Sequence, residues 1–114
     1  MKIINDKRPW GAEEILTLNT PTTVKILTIN PGQRCSLQYH NQRQEFWKLI
    51  EGEAIFEVDR QKIEAVVGTE CTIENKMKHR LVGKDKPAKV LEISFGTFEE
   101  DDIVRLEDDY GRLK

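Results

Sequence analysis

Four side chains of this sequence can each donate a lone pair to one metal ion. Three of them, Gln38, His40 and Glu45, stand close together, and the fourth is His79, the only other histidine. A histidine and a carboxylate suit a borderline divalent ion such as zinc, iron or manganese. Gln38 and His40 are two residues apart, so on a strand they point to the same side. We predict that a tight hairpin, with its turn at residues 41–44, brings Glu45 back beside them.

The size and charge of the chain restrict the classes of function. Its 114 residues suffice for a single domain, residues 1–114, with one core. The net charge of −2 does not favour nucleic acid or an acidic membrane surface, which call for a basic patch. No apolar run approaches the roughly 20 residues of a membrane helix, and the first residues lack the apolar core of a secretory signal. We expect a soluble, cytoplasmic protein that binds neither nucleic acid nor membrane.

The two cysteines are expected to have neither a redox role nor a metal-binding role. Cys35 and Cys71 are too few for a disulfide framework. We predict two reduced thiols, each half-buried.

Alternation of apolar and polar residues indicates strands throughout, and no stretch shows a sustained helical stripe. Breakers such as Pro31-Gly32, Gly52 and Gly68 separate the apolar runs. The predicted strands are residues 23–30, 34–40, 45–50, 53–59, 61–67, 70–73, 80–82 and 88–95, with a further strand at 14–18 after the turn-like residues 8–11. Short strands at this spacing indicate an all-β sandwich or barrel. The tail from Phe98 is acidic and less regular, and residues 99–102 are predicted to begin a short helical turn.

Strand parity predicts which side chains of the first motif share the interior. If Gln38 and His40 face inward, Arg34 and Ser36 share that face and Cys35 faces outward. An inward Glu45 takes two more side chains with it, Trp47 and Leu49. Both faces of these strands carry apolar residues, so we expect the outer face to be partly covered by the N-terminal segment or by a second subunit.

Two charged residues stand in the middle of otherwise apolar strands. Glu92 is centred in the last long strand, and Lys25 is centred in residues 24–29. Charged groups are rarely buried without a partner or a purpose. Glu92 is therefore either a functional carboxylate or the buried partner of an arginine.

Taken together, these motifs resemble a known family. Gly32, Gln38, His40, Glu45 and Gly52 are spaced like the first cupin motif, with glutamine in place of its first histidine. The second motif begins at Gly68 and reaches its histidine eleven residues later, at His79. The closest resemblance is to type II mannose-6-phosphate isomerases, cupins found alone or fused to mannose-1-phosphate guanylyltransferase. The matching segments are residues 8–11, 24–25, 31–32, 36–47, 79–80, 91–93 and 102–112.

This resemblance implies a single cupin domain, an all-β double-stranded β-helix or jelly-roll barrel, with one divalent metal. The implied ligands are Gln38, His40, Glu45 and His79. Zinc is the metal expected first, with manganese, iron, cobalt and nickel as alternatives. Cupins commonly pair through an outer sheet face, so we also expect a homodimer.

The implied reaction interconverts mannose 6-phosphate and fructose 6-phosphate through an enediol, which requires a Lewis acid and a proton carrier. Glu92 is the first candidate for the proton carrier and Lys25 the second. Arginines are expected to bind the phosphate, and the candidates are Arg80, Arg34 and Arg43. Arg80 neighbours His79, so a regular strand would point it away from the site. Arg43 lies in the predicted turn, where a solvated charge is the ordinary expectation.

The remaining candidates come from the first motif and the tail. Ser36, Tyr110 and Arg112 are candidate substrate-binding residues. Arg105, Asp109, Tyr110 and Arg112 belong to the tail motif, which forms either a clasp over the barrel or a lid on the site. Trp10 and Trp47 are expected in the core rather than under a sugar.

The second motif departs from the family's usual pattern. It has Glu74 where proline is usual, Lys76 where glycine is usual and Gly83 where asparagine is usual. The spacing to His79 is kept. A non-catalytic cupin that binds a sugar or sugar nucleotide is therefore an open alternative, and a small metal-dependent dioxygenase is a further one.

Overall fold

A computed structural model of the protein describes residues 4–113. These residues form strands joined by turns, and none of their segments makes a helix that could cross a membrane. The eleven strands are β1 Ile4–Arg8, β2 Gly11–Ile15, β3 Thr22–Ile29, β4 Leu37–Tyr39, β5 Arg43–Glu51, β6 Ala54–Val58, β7 Gln61–Ala65, β8 Glu70–Ile73, β9 His79–Gly83, β10 Ala88–Gly96 and β11 Val104–Glu107. The all-β class predicted from alternation is confirmed.

Two antiparallel sheets form the body of the fold. The four-stranded sheet has the order β3-β10-β5-β8, and the five-stranded sheet has the order β11-β4-β9-β6-β7. The core between them takes side chains from both, including Trp47, Leu49 and Val90 of the four-stranded sheet and Phe56 and Leu81 of the five-stranded sheet. This arrangement is a jelly roll, in which sequence-distant strands lie side by side.

The predicted hairpin between Gln38 and Glu45 is wrong. β4 pairs with β9 and β11, whereas β5 pairs with β10 and β8, so residues 40–42 carry the chain from one sheet to the other. β5 has nine residues, and the nine residues of β10 satisfy its backbone groups far more completely than the three of β4 could. Consequently the metal-ligand candidates come from two facing sheets.

Several strand boundaries differ from the prediction. The strand predicted at 34–40 is reduced to β4 and an isolated bridge from Arg34 to Val82. β2 precedes the segment predicted at 14–18 and overlaps only its first residues. The acidic tail contains β11, which was not predicted, and residues 99–102 form a single turn closed by a 3.0 Å hydrogen bond from Asp102 N to Glu99 O.

The N-terminal hairpin reaches the outer face of the four-stranded sheet, part of which is buried. Phe46 and Ile93 are register partners that are only 2% and 3% exposed, although they alternate with the inward Glu45 and Glu92. The Lys48 ammonium on that face lies 3.2 Å from Glu14 of β2.

Other apolar groups of this region remain exposed. Trp10, expected in the core, is 73% exposed at the tip of the β1–β2 hairpin, because this hairpin forms a two-stranded sheet of its own outside the two large sheets. Val24 and Ile26 are more than half exposed on the edge strand β3. The homodimer stays a prediction. Cys35 and Cys71 are free and partly buried, as predicted.

Candidate metal centre

His40, Glu45 and His79 meet between the two sheets. Their candidate ligand atoms all lie within 4.8 Å of one another. Glu45 Oε1 is 3.3 Å from His79 Nε2 and 3.7 Å from His40 Nε2. All three side chains are at most 2% exposed. The structure thus brings three of the four candidate ligands together, and it does so without the predicted hairpin.

Two atoms of this cluster lack a hydrogen-bond partner among the described residues. Glu45 Oε1 and His79 Nε2 are both fully buried, and neither makes a hydrogen bond despite their proximity. Buried polar atoms without partners are costly and uncommon in folded proteins. A cation between the two atoms would satisfy both, so the donor set fits a divalent metal ion.

The backbone fixes the orientation of both imidazoles. His40 Nδ1 lies 2.7 Å from the carbonyl oxygen of Asp102, and His79 Nδ1 lies 2.8 Å from that of Met77. A carbonyl oxygen only accepts, so each Nδ1 carries the hydrogen and each Nε2 keeps its lone pair. Carbonyl groups of this kind usually support histidine ligands of metals.

The ionisation states also suit metal binding. Burial is the largest influence on the pKa of Glu45 and raises it, but the nearby His79, His40 and Arg43 favour the ionised carboxylate and together lower the pKa to about 2. Burial lowers the pKa of His40. An ionised carboxylate and a neutral imidazole are the forms that coordinate a metal.

Arg43 lies beside the cluster, so the expectation of a solvated charge is wrong. β5 begins at Arg43, and the side chain shares the inward face with Glu45 and is 8% exposed. Its Nε donates to Glu45 Oε2 at 3.2 Å, and its Nη1 donates to Glu99 O at 3.2 Å. Ser94 Oγ also donates to Glu45 Oε2, at 3.3 Å. These bonds engage one carboxylate oxygen of Glu45 and leave the other facing the histidines.

Gln38 lines the same cavity but already has a partner. It is half-buried, and its Oε1 accepts a 2.6 Å hydrogen bond from Ser36 Oγ. Ser36 is buried on this face, in the position that parity gave it. The assignment of Gln38 as the fourth ligand stays a prediction.

Glu92 is a second buried carboxyl in this cavity. It is 7% exposed, and its Oε2 accepts a 3.1 Å hydrogen bond from Trp47 Nε1. Burial first, and then the nearby charge of Glu45, raise the pKa of Glu92. Its hydrogen-bond partner is thus an indole and not an arginine. Lys25 is its register partner on β3.

The cavity has a volume of about 380 Å³ and lies between the sheets beside the metal-ligand cluster. Its charged lining combines three cations, Lys25, Arg43 and Arg105, with three carboxylates, Glu45, Glu92 and Glu100. Such a cavity holds a small polar molecule. Arg105 was assigned only to the tail motif by the sequence. The alternation of Val104, Arg105 and Leu106 would have singled it out, had the tail been read as a strand.

Comparison with known proteins identifies the family. The family model described as mannose-6-phosphate isomerase C-terminal matches residues 3–108. The chain belongs to this family. Among individual relatives, alginate biosynthesis protein AlgA of Pseudomonas aeruginosa is 36% identical over 107 residues, and xanthan biosynthesis protein XanB of Xanthomonas campestris is 38% identical over 109. Each match covers 92% of this chain but only 22% and 23% of the relative, so the chain spans less than a quarter of their lengths.

A solved structure shows which fold this member of the mannose-6-phosphate isomerase C-terminal family adopts. A sugar phosphate isomerase of the cupin superfamily from Silicibacter pomeroyi is 26% identical to this chain, with a TM-score of 0.61. The similarity covers 70% of this chain and 53% of that one. The protein is therefore a sugar-related cupin.

The altered second motif of this family member retains the turn that leads to His79. Lys76 adopts a φ of +65°, the left-handed conformation that glycine adopts most easily. Its backbone nitrogen donates to His40 O at 2.7 Å, which ties the second motif to the first. At Gly83 an added Cβ would lie 2.4 Å from the carbonyl oxygen of Asn30, so the backbone there requires glycine.

Three candidate substrate-binding residues lie elsewhere. Arg34, Tyr110 and Arg112 border a separate cavity of about 570 Å³, which we call the tail cavity. The expectation that Arg34 faces inward is wrong, because the chain is irregular after the bridge to Val82. Arg34 is exposed, and Cys35 packs against the core in its place.

Arg80 also lies away from the metal-ligand cluster, as parity indicated. Its side chain is 3% exposed and donates to the carbonyl oxygen of Cys35 at 3.1 Å and to Glu107 at 3.0 Å. Arg80 therefore connects β9 to the tail. Neither a catalytic nor a phosphate-binding role follows from this position.

Proposed function

We propose that this protein is a metal-dependent aldose–ketose isomerase that interconverts mannose 6-phosphate and fructose 6-phosphate. The observation that carries the proposal is the presence of Glu92, a buried carboxyl with a raised pKa, in the same cavity as His40 and Glu45. The family's description and the sugar phosphate isomerase among the similar structures support the choice of substrate. The proposal keeps the cytoplasmic location expected from the sequence.

The metal would be held by His40, Glu45 and His79, with the oxygen of Gln38 as a fourth ligand. Zinc suits this nitrogen and oxygen donor set, and manganese, iron, cobalt and nickel are the alternatives to be tested. When bound, the metal would act as a Lewis acid that polarises the substrate carbonyl and orients its hydroxyls.

Glu92 would carry the proton between the two carbons. In the aldose-to-ketose direction it removes the proton from C2, which gives the enediol, and returns a proton to C1, while a proton passes from O2 to O1. The Trp47 N–H holds Glu92 Oε2 and so fixes the direction of the carboxyl. A raised pKa brings a carboxyl closer to neutral pH, where general acid–base catalysis is most effective.

A coupled assay with mannose 6-phosphate and added zinc, manganese, cobalt or nickel tests this function. We expect the wild type to turn over and Glu92→Gln to lose about 10²-fold to 10⁴-fold in rate, while it retains its metal. Glutamine keeps an oxygen for the Trp47 N–H. Glu64→Gln, an exposed glutamate paired with Lys84, is the matched control and should behave as wild type.

The outcomes separate the competing functions. Full turnover by Glu92→Gln would remove that residue from the mechanism. A wild type that binds sugar phosphate but is inactive with every metal would favour the non-catalytic binding module. Metal-dependent oxygen uptake would favour the dioxygenase.

A further inference from the structure

The five-stranded sheet presents three side chains in a row across neighbouring strands. His79 of β9 is the register partner of Gln38 of β4, and Gln38 is the partner of Arg105 of β11. β11 is the edge strand of its sheet, so Arg105 ends the row. Neighbouring strands lie about 4.8 Å apart, which separates the backbones of Arg105 and His79 by about 10 Å.

The four-stranded sheet presents a matching row. Trp47 of β5 is the register partner of Glu92 of β10, and Glu92 is the partner of Lys25 of β3. β3 is likewise an edge strand, so Lys25 ends this row. Lys25 and Arg105 line the same cavity. Each sheet therefore places a cation at the edge of the cavity, two strands away from the inner residues.

These two cations differ from Arg43 in their hydrogen bonds, although both Lys25 and Arg43 lie over the Phe98 ring. The Arg43 guanidinium already donates to Glu45 and to the carbonyl oxygen of Glu99. In contrast, Arg105 Nε is buried without a hydrogen-bond partner among residues 4–113. The Lys25 ammonium lies 4.2 Å from the centre of the Phe98 ring, a contact that leaves its hydrogen-bonding capacity for a ligand.

We propose that Arg105 and Lys25 bind the phosphate of a hexose 6-phosphate whose carbonyl end lies at His40 and Glu45, an inference that rests on the proposed function. An open-chain hexose 6-phosphate carries its carbonyl and its phosphate at opposite ends, at a separation comparable with two strand spacings, about 10 Å. Arginine binds phosphate through paired N–H groups, and lysine adds a compact charge. This assignment replaces Arg34 and Arg80 as phosphate-binding candidates.

Calorimetric titration with mannose 6-phosphate and with unphosphorylated mannose tests the assignment. We expect Arg105→Gln and Lys25→Gln each to weaken binding of mannose 6-phosphate by about tenfold to a hundredfold, and to leave the binding of mannose unchanged. Arg105→Lys should recover part of the loss. Lys89→Gln, an exposed lysine on the outer face of β10, is the matched control and should bind as wild type.

Kinetics supply a second measurement. Loss of a phosphate contact present in both ground and transition states raises KM and changes kcat little. Wild-type affinity for mannose 6-phosphate in both Arg105→Gln and Lys25→Gln would overturn the assignment, as would a wild type that binds mannose 6-phosphate no better than mannose. Should Arg105→Gln fail to fold, Lys25→Gln and Arg105→Lys decide the matter. If the variants bind mannose 6-phosphate more weakly but the wild type never isomerises it, the phosphate site is supported and the proposed reaction is refuted.

Discussion

The cavity beside the metal-ligand cluster, which we call the metal-site cavity, shares Thr28, Ile29 and Cys35 with the tail cavity. The polar groups of the two cavities nevertheless differ in whether they have hydrogen-bond partners. In the tail cavity, the charged and hydroxyl groups bond to one another. Arg34 pairs with Asp109 at 2.7 Å, Arg112 pairs with Asp108 at 2.9 Å, and the Tyr110 hydroxyl donates to the carbonyl oxygen of Arg34 at 2.8 Å. In the metal-site cavity, Glu45 Oε1, His79 Nε2 and Arg105 Nε have no such partners among the described residues.

This difference separates a structural cluster from a binding site. Polar groups that satisfy one another need no ligand, and their bonds connect the tail to the barrel. Buried polar atoms without protein partners are costly, and a bound ligand can satisfy them. Of the two readings of the tail, the clasp therefore describes residues 108–112, whereas residues 98–105 form a wall of the metal site.

The largest effect should come from removing both histidines. We expect about one divalent ion per chain in the wild type and none in a His40→Ala, His79→Ala double variant, because two of the three clustered ligands are lost. Elemental analysis of the purified proteins measures this. Arg112→Gln, in the tail cavity, is the control and should keep its metal; a double variant that retains it would refute the ligand assignment.

A smaller effect is expected at the residue that supports His40. The Asp102 carboxylate accepts hydrogen bonds from the backbone nitrogens of Asn41 and Gln42, at 2.8 and 2.9 Å, and so holds its own carbonyl against the imidazole. Asp102→Ala should weaken metal affinity by about tenfold to a hundredfold, as measured by competition with a chelator. Unchanged affinity would show that the carbonyl needs no such support. Asp101→Ala, next to it and exposed, should bind as wild type.

The smallest effect should follow a change in the tail cavity. Tyr110→Phe removes a hydroxyl that bonds to the carbonyl oxygen of Arg34 and to Gln33. We expect the free energy of unfolding to fall by about 1 kcal/mol in denaturant titrations, with metal content and kcat/KM unchanged. A large loss of activity without loss of stability would mean that the tail cavity belongs to the active site, and the contrast between the two cavities would disappear.

The sequence predicted the ligand cluster more successfully than the strand pairing that builds it. The motif spacing of His40, Glu45 and His79 predicted that these three residues lie together, and this prediction does not depend on how the chain runs between them. The pairing of strands, in contrast, depends on which strand is long enough to form hydrogen bonds with the backbone groups of another. The four residues between His40 and Glu45 fit a hairpin as well as a crossover, so local spacing could not distinguish the two.

The side chains around the cluster were harder to predict for related reasons. Arg43 was read as a turn residue because the predicted strand began at Glu45; starting it two residues earlier would have placed Arg43 on the inward face. Arg105 was named only as part of the tail motif, because the strand that carries it was not predicted. The inward turn of Cys35 follows from an irregular backbone that no alternation pattern reveals.

The bond from His40 to the carbonyl of Asp102 joins residues 62 positions apart. As the chain leaves the ribosome, the three clustered ligands, His40, Glu45 and His79, therefore emerge well before the group that orients one of them. A cation captured early would meet an unrestrained imidazole, and firm retention would wait until Asp102 has been synthesised. Firm metal binding would therefore depend on synthesis of the tail residue Asp102.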